Sequence, residues 1–174
     1  MVTILYNQPI YPTRQSFIWP KWVVSKIIRQ LLTQDSVVPI LQKKSISFIE
    51  TEWRHYKYLV LEHDALSYQT IRDLLKDKNH ALVESFYNSI DQALQKIPTK
   101  GSIINAASHV FGYFKKNVTT IEKEYFLRLI DQLSNDQGSR NQIKDFLWEL
   151  TNKYQSYYLK DSLYFMSHQN KEDE

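Results

Sequence analysis

Residues 103–118 read IINAASHVFGYFKKNV, and the spacing of their apolar members decides the fold. Placed 100° apart, Ile103, Ala107, Val110, Phe111, Phe114 and Val118 form one stripe. Asn105, His109, Gly112, Tyr113 and Lys116 fall together opposite it, with Lys115 to the side. The spacing predicts a helix over about 102–117 with one face in a core and a hydrogen-bonding face outside it. Gly112 sits inside that outer face at a cost of about 1 kcal/mol relative to Ala. It implies close approach either of another helix or of a ligand.

The same period runs outward from this segment. Ile49, Trp53, Tyr56, Val60, Ile71 and Leu74 place one long helix or two abutting ones over 45–76, with a weak point at Asp64 to Ser67. Val83, Phe86, Tyr87, Ile90 and Leu94 predict a helix from about 81 to 96, stopped by the stretch from Pro98 to Gly101. Thr119 and Glu122 form a capping-box pattern ahead of Tyr125, Phe126, Leu129, Ile130 and Leu133, with Gly138 as a C-terminal signal. Ser139 and Gln142 repeat that pattern before Ile143, Phe146, Leu147 and Leu150, and a last amphipathic stretch covers 154–166. Upstream, Trp22, Val23, Ile27, Ile28 and Leu31 mark a helix ending near Gln34, and Pro39 reads as a connector. The first eighteen residues, with Pro9 and Pro12 among Tyr6, Tyr11 and Phe17, read as an extended arm. Alternation with period two is nowhere sustained. The expected fold is therefore all-α, a single-domain bundle of about six or seven helices with an extended N-terminal arm.

Composition narrows the chemistry. The chain has 174 residues, enough for one core, and 14% of them are aromatic, which excludes low-complexity classes. With three Gly and no G-x-G-x-x-G or Walker pattern, the glycine-rich nucleotide folds are excluded. Zero Cys removes thiolate metal sites, disulfides and cysteine nucleophiles, and fits a cytoplasmic setting. No apolar run is long enough to span a membrane. The net charge is +3, but residues 1–44 hold Arg14, Lys21, Lys26, Arg29, Lys43 and Lys44 against Asp35 alone. The five His, at 55, 63, 80, 109 and 168, form no H-E-x-x-H motif and no i, i+4 pair. No catalytic residue, metal ligand or cofactor is expected.

Two candidate surfaces remain. On the first, Lys115 and Lys116 would meet phosphates, with Asn105, His109 and Tyr113 on sugar or base beside Gly112. The second lies between Trp53 and His63, where Arg54, His55 and Lys57 alternate with Trp53, Tyr56 and Tyr58. Lys57 stands at the edge of the apolar stripe, able to lay its methylenes on the core and turn its ammonium outward. His63 lies on the stripe, as a buried, hydrogen-bonded histidine or as part of a cleft with Lys57 and His109.

The blocks Trp53…Lys57-Tyr58-Leu59-Val60-Leu61-Glu62-His63 and Asn105-Ala106-Ala107-Ser108-His109-Val110-Phe111-Gly112-Tyr113-Phe114-Lys115-Lys116 resemble the signature segments of the YbgA family. The resemblance covers about residues 46–166, with residues 1–45 as an arm and basic helix packed on the core and 167–174 as a disordered acidic tail. The family's closing pattern recurs as Tyr158-Leu159 and Leu163-Tyr164, with Ser162 where Gln is usual. Tyr56 stands where a second His is common. Members are often fused to an iron–sulfur desulfidase domain acting on thiolated uracil and associated with thiouridine in transfer RNA. The resemblance implies a non-catalytic, RNA-binding accessory domain that engages transfer RNA beside a separate desulfidase partner, with no preference for DNA. Lys57, His63, Asn105, His109, Gly112, Tyr113, Lys115 and Lys116 are the expected contact residues. A protein-docking scaffold is the alternative, and an enzyme or binder acting on a nucleobase-like metabolite is the third.

Overall fold

Nothing between Val38 and His63 breaks a helix, since the segment holds no Gly and its one Pro is the second residue. The result is a 26-residue helix, α1, about 39 Å long at 1.5 Å per residue. The computed structural model of the chain describes residues 38–76 and 83–168. The expected arm, the expected basic helix ending near Gln34 and the expected acidic tail lie outside those residues. Pro39 is not a connector: it occupies the first turn of α1, where a backbone N–H has no helical acceptor to lose.

Two stripes of α1 are buried. Ile49, Tyr56 and Val60 face α2 (Ala65–Lys76) and α3 (Val83–Leu94), packing with Ile71, Phe86, Tyr87, Ile90 and Ala93. Tyr58 and Leu61 face α4 (Lys100–Phe111), α5 (Thr120–Ser134) and α6 (Arg140–Lys153). That second core holds Ile103, Val110, Phe111, Phe114, Phe126, Leu129, Ile143, Leu147 and Leu150, with Phe111 and Phe126 stacked at 4.0 Å. Each such side chain contributes about 1.5–3 kcal/mol on leaving water, so α1 is the wall that both cores share. Among the described residues there is no strand, and the domain is all-α.

The chain breaks between α1 and α2 at the predicted weak point. Asp64 leaves the helix and accepts from the Ser67 N–H at 3.0 Å and the Leu66 N–H at 3.3 Å, which caps α2. The boxes at Thr119 and Ser139 form as read, each side chain accepting from the backbone three residues on. A third box was missed. Thr99 and Ser102 cap α4, so the stretch from Pro98 to Gly101 starts a helix as well as ending the one before it.

Three further expectations are corrected. Helix α4 ends at Phe111 rather than near Asn117, and the chain tightens into three-residue turns, with the Tyr113, Phe114 and Asn117 N–H groups bonding to Val110, Phe111 and Phe114 carbonyls. After α5 the left-handed residue is Asp136 (φ 58°), not Gly138. Gly138 instead lies where a Cβ would meet Gln132 Cβ at 3.0 Å and the Leu133 nitrogen at 3.1 Å. The last stretch is also no continuous helix: a turn at Gln155 leads to α7 (Tyr157–Lys160) and a 3₁₀ turn at Leu163–Phe165. Leu163, Tyr164 and Phe165 are buried in succession, which no single helical face allows.

Candidate functional site

The Lys57 ammonium lies among three tyrosines. It is 3.4 Å from the Tyr113 hydroxyl, 4.6 Å from the Tyr58 ring centroid and 5.2 Å from that of Tyr158. Three residues earlier on α1, the Arg54 guanidinium lies 5.2 Å from the same Tyr158 ring. Tyr158, carried on α7, stacks on Tyr113 at 5.4 Å and 12°. The buried Tyr58 donates to the Tyr113 hydroxyl at 2.8 Å and meets its ring edge-on. Three segments, α1, the turns after α4, and α7, therefore hold one layered arrangement of cation, ring and ring.

Protonation of this cluster follows from burial and neighbours. Burial pulls the Lys57 pKa down, but the Tyr158 hydrogen bond and the electrostatic effect of Tyr113 and Tyr158 outweigh it, so it ends above the usual lysine value. Burial, then the bond with Tyr113, pushes Tyr58 well up. Burial also raises Tyr158, with Lys57 opposing. At neutral pH Tyr58 and Tyr158 are neutral and Lys57 is charged. Among the described residues neither Arg54 nor Lys57 pairs with a carboxylate. Two like charges one turn apart on a helix repel, and among the described residues their contacts are ring faces and, for Lys57, a hydroxyl.

The other expected contact residues are distributed around this point. Asn105 and His109 are exposed on α4, and Lys115 and Lys116 are exposed in the turns just after Tyr113. Gly112 caps α4 in an ordinary right-handed conformation, and the three atoms nearest to a Cβ there belong to its own preceding turn. His63 lies elsewhere, six residues and about 9 Å along α1 from Lys57. Its Nδ1 is 2.7 Å from the Lys96 carbonyl oxygen. A shallow hollow beside it is lined by Asp64, Leu66, Ser67, Thr70, Gln92, Gln95 and Lys96, and contains neither Lys57 nor His109.

A second charged cluster begins one turn along α1 from Tyr58. Glu62 is fully buried and receives two bonds from Arg140, Nε to Oε1 at 2.9 Å and an Nη to Oε2 at 2.6 Å. Lys144 lies 2.9 Å from Oε2, donates to the Tyr164 carbonyl at 3.0 Å and sits 4.1 Å from the Tyr164 ring centroid. Burial lowers the Lys144 pKa despite Glu62, and raises that of Tyr164. These groups lock α1 to α6 and to the segment that follows α7. Sequence reasoning missed them, and the only signal was a carboxylate after the apolar run from Leu59 to Leu61. It also gave no role to Tyr158, whose partners lie 45 and 101 positions away.

The fold and this cluster define an all-α domain with a cationic, tyrosine-lined surface site. The chain matches the model of a family described as a protein of unknown function (DUF1722) over residues 57–169, more than half its length, and it belongs to that family. This is the family to which the YbgA-like blocks pointed. No curated protein and no solved structure matches the chain. No helix among the described residues is long and apolar enough to cross a membrane.

Proposed function

We propose that this domain is a cytoplasmic RNA-binding module without catalytic residues of its own, engaging transfer RNA beside a separate desulfidase. The observation that carries the reading is the pair Arg54 and Lys57, both against Tyr158 and both without a carboxylate partner among the described residues. Cations held without a counter-charge suit a polyanion, and Tyr113, Lys115 and Lys116 extend the same surface with an aromatic ring and two more charges. His109 and Asn105 add hydrogen-bonding groups on α4, one and two turns back from Tyr113. Transfer RNA and a desulfidase partner are suggested by the family resemblance alone. The chain has no Cys and can supply no thiolate to a cluster.

The test is fluorescence anisotropy with total transfer RNA and a random single strand at about 50 and 200 mM salt. The expected result is salt-sensitive binding that prefers transfer RNA. Lys115→Ala with Lys116→Ala is expected to lower the log–log salt slope by nearly one unit for each phosphate that is no longer neutralised. Binding that is absent at low salt would remove the RNA reading and favour a protein partner on the same face.

A further inference from the structure

We infer that the tyrosine stack takes an unpaired nucleotide, its base continuing the stack on Tyr113 and its phosphate drawn to Arg54 and Lys57. This deepens the RNA reading and rests on it. Tyr113 is 44% exposed, a large share for a ring whose partner Tyr158 is stacked at 5.4 Å beneath it. Its orientation is fixed in advance by the Tyr58 hydroxyl at 2.8 Å, itself anchored on a buried side chain. A surface ring held flat in this way loses little freedom when a ligand arrives. The two cations on Tyr158 lie within one helical turn, the spacing of a single phosphate's surroundings rather than of a long groove.

Base pairing decides between the possible nucleic acids. In a duplex both faces of each base are covered by neighbouring pairs, so a helix can offer phosphates to Arg54 and Lys57 but no free face to Tyr113. A nucleotide in a loop or bulge offers both. The cluster therefore selects unstacked positions, while Lys115 and Lys116 supply attraction that is indifferent to pairing.

Two RNAs of equal length separate these contributions: a hairpin with 2-aminopurine at an unpaired loop position, and a fully paired duplex. The hairpin is expected to bind about tenfold tighter, with its fluorescence quenched on binding, in line with one stacked base. Tyr113→Leu is expected to weaken hairpin binding about tenfold and to leave the duplex unchanged. Tyr113→Phe also removes the Tyr58 partner but keeps the ring, and is expected to stay within about twofold of the parent. Equal binding of both RNAs, unaffected by Tyr113→Leu, would overturn the inference while leaving salt-sensitive RNA binding in place. So would a Tyr113→Phe loss as large as that of Tyr113→Leu, because the hydroxyl and not the ring would then be responsible. Failure of both RNAs to bind at low salt would overturn the RNA reading together with the inference.

Discussion

Glu62 shows how one residue's importance depends on what it leaves behind. Its carboxylate is wholly buried and holds two cations, Arg140 at 2.6 Å and Lys144 at 2.9 Å. Glu62→Gln keeps the shape and strands both charges, one of them on the nearly buried Lys144 side chain. Breaking a buried pair in this way costs about 3–5 kcal/mol. Lys144→Met removes a charge that burial already disfavours and leaves the two-pronged Arg140 contact with Glu62 intact, so its cost is smaller. Urea unfolding of the two variants checks the order, and a more damaging Lys144→Met would contradict this account. Neither Glu62 nor Tyr158 was legible as a functional or structural centre in the sequence. Periodicity reports which face of a helix is buried, but not that Arg140 lies opposite Glu62 after a gap of 78 positions. Lys57 and Tyr113 were legible separately, the first at the edge of one apolar stripe and the second on the polar face opposite another. Their meeting at 3.4 Å was not.

At the level of elements, local chemistry was the most readable part. Thr119 and Ser139 announce their helices because the residue three positions on is Glu or Gln, whereas Thr99 is answered by Ser102, whose short side chain resembles any loop serine. The end of α4 was misplaced because a fixed 100° wheel continues past Phe111, where the chain tightens into three-residue turns. α1 showed one stripe on inspection and has two, since Tyr58 and Leu61 are buried on a face that Lys57 and Glu62 make look polar. The cap of α5 also carries a pH dependence. Glu122 accepts from Lys153 at 2.9 Å, from the Thr119 N–H at 2.8 Å and from Tyr154 at 2.8 Å. Those bonds, that of Lys153 first, hold its pKa near about 2 against an ordinary 4.5. A depressed carboxylate stabilises the fold fully above its unfolded pKa and loses that contribution as pH falls through the folded value. The stability given by this cap should therefore decline between about pH 4.5 and 2. Glu122→Gln retains the box geometry and should flatten this part of a plot of urea midpoint against pH. An unchanged profile would show that the Lys153 and Tyr154 contacts contribute nothing.

For the whole molecule, the question is what makes two cores behave as one. The α2–α3 side and the α4–α6 side share α1, and the segment from α7 onward stitches them a second time. Leu163 enters the first core, while Leu159, Tyr164 and Phe165 enter the second, and the buried Ser162 hydroxyl donates to the His55 carbonyl at 3.4 Å. These residues also carry Tyr158, so the segment that completes both cores also completes the stack on Tyr113. Stability and the surface site are thus coupled through about ten residues at the end of the described chain. Truncation after Lys153 should remove more than a tail. It opens the space filled by Leu159, Leu163, Tyr164 and Phe165, takes away the Lys144 acceptor, and strips Arg54 and Lys57 of their shared ring. Each large buried side chain removed in this way is worth roughly 2–5 kcal/mol, which together exceeds the 5–15 kcal/mol typical of a domain at the low end. The truncated chain should therefore lose its cooperative thermal transition and bind a hydrophobic dye at room temperature. The full chain should melt in one step, because neither core can open without exposing the other side of α1. A truncated chain that still melts sharply would mean that α1 alone couples the two cores. The residues after Lys153 would then matter for the site without holding the fold together.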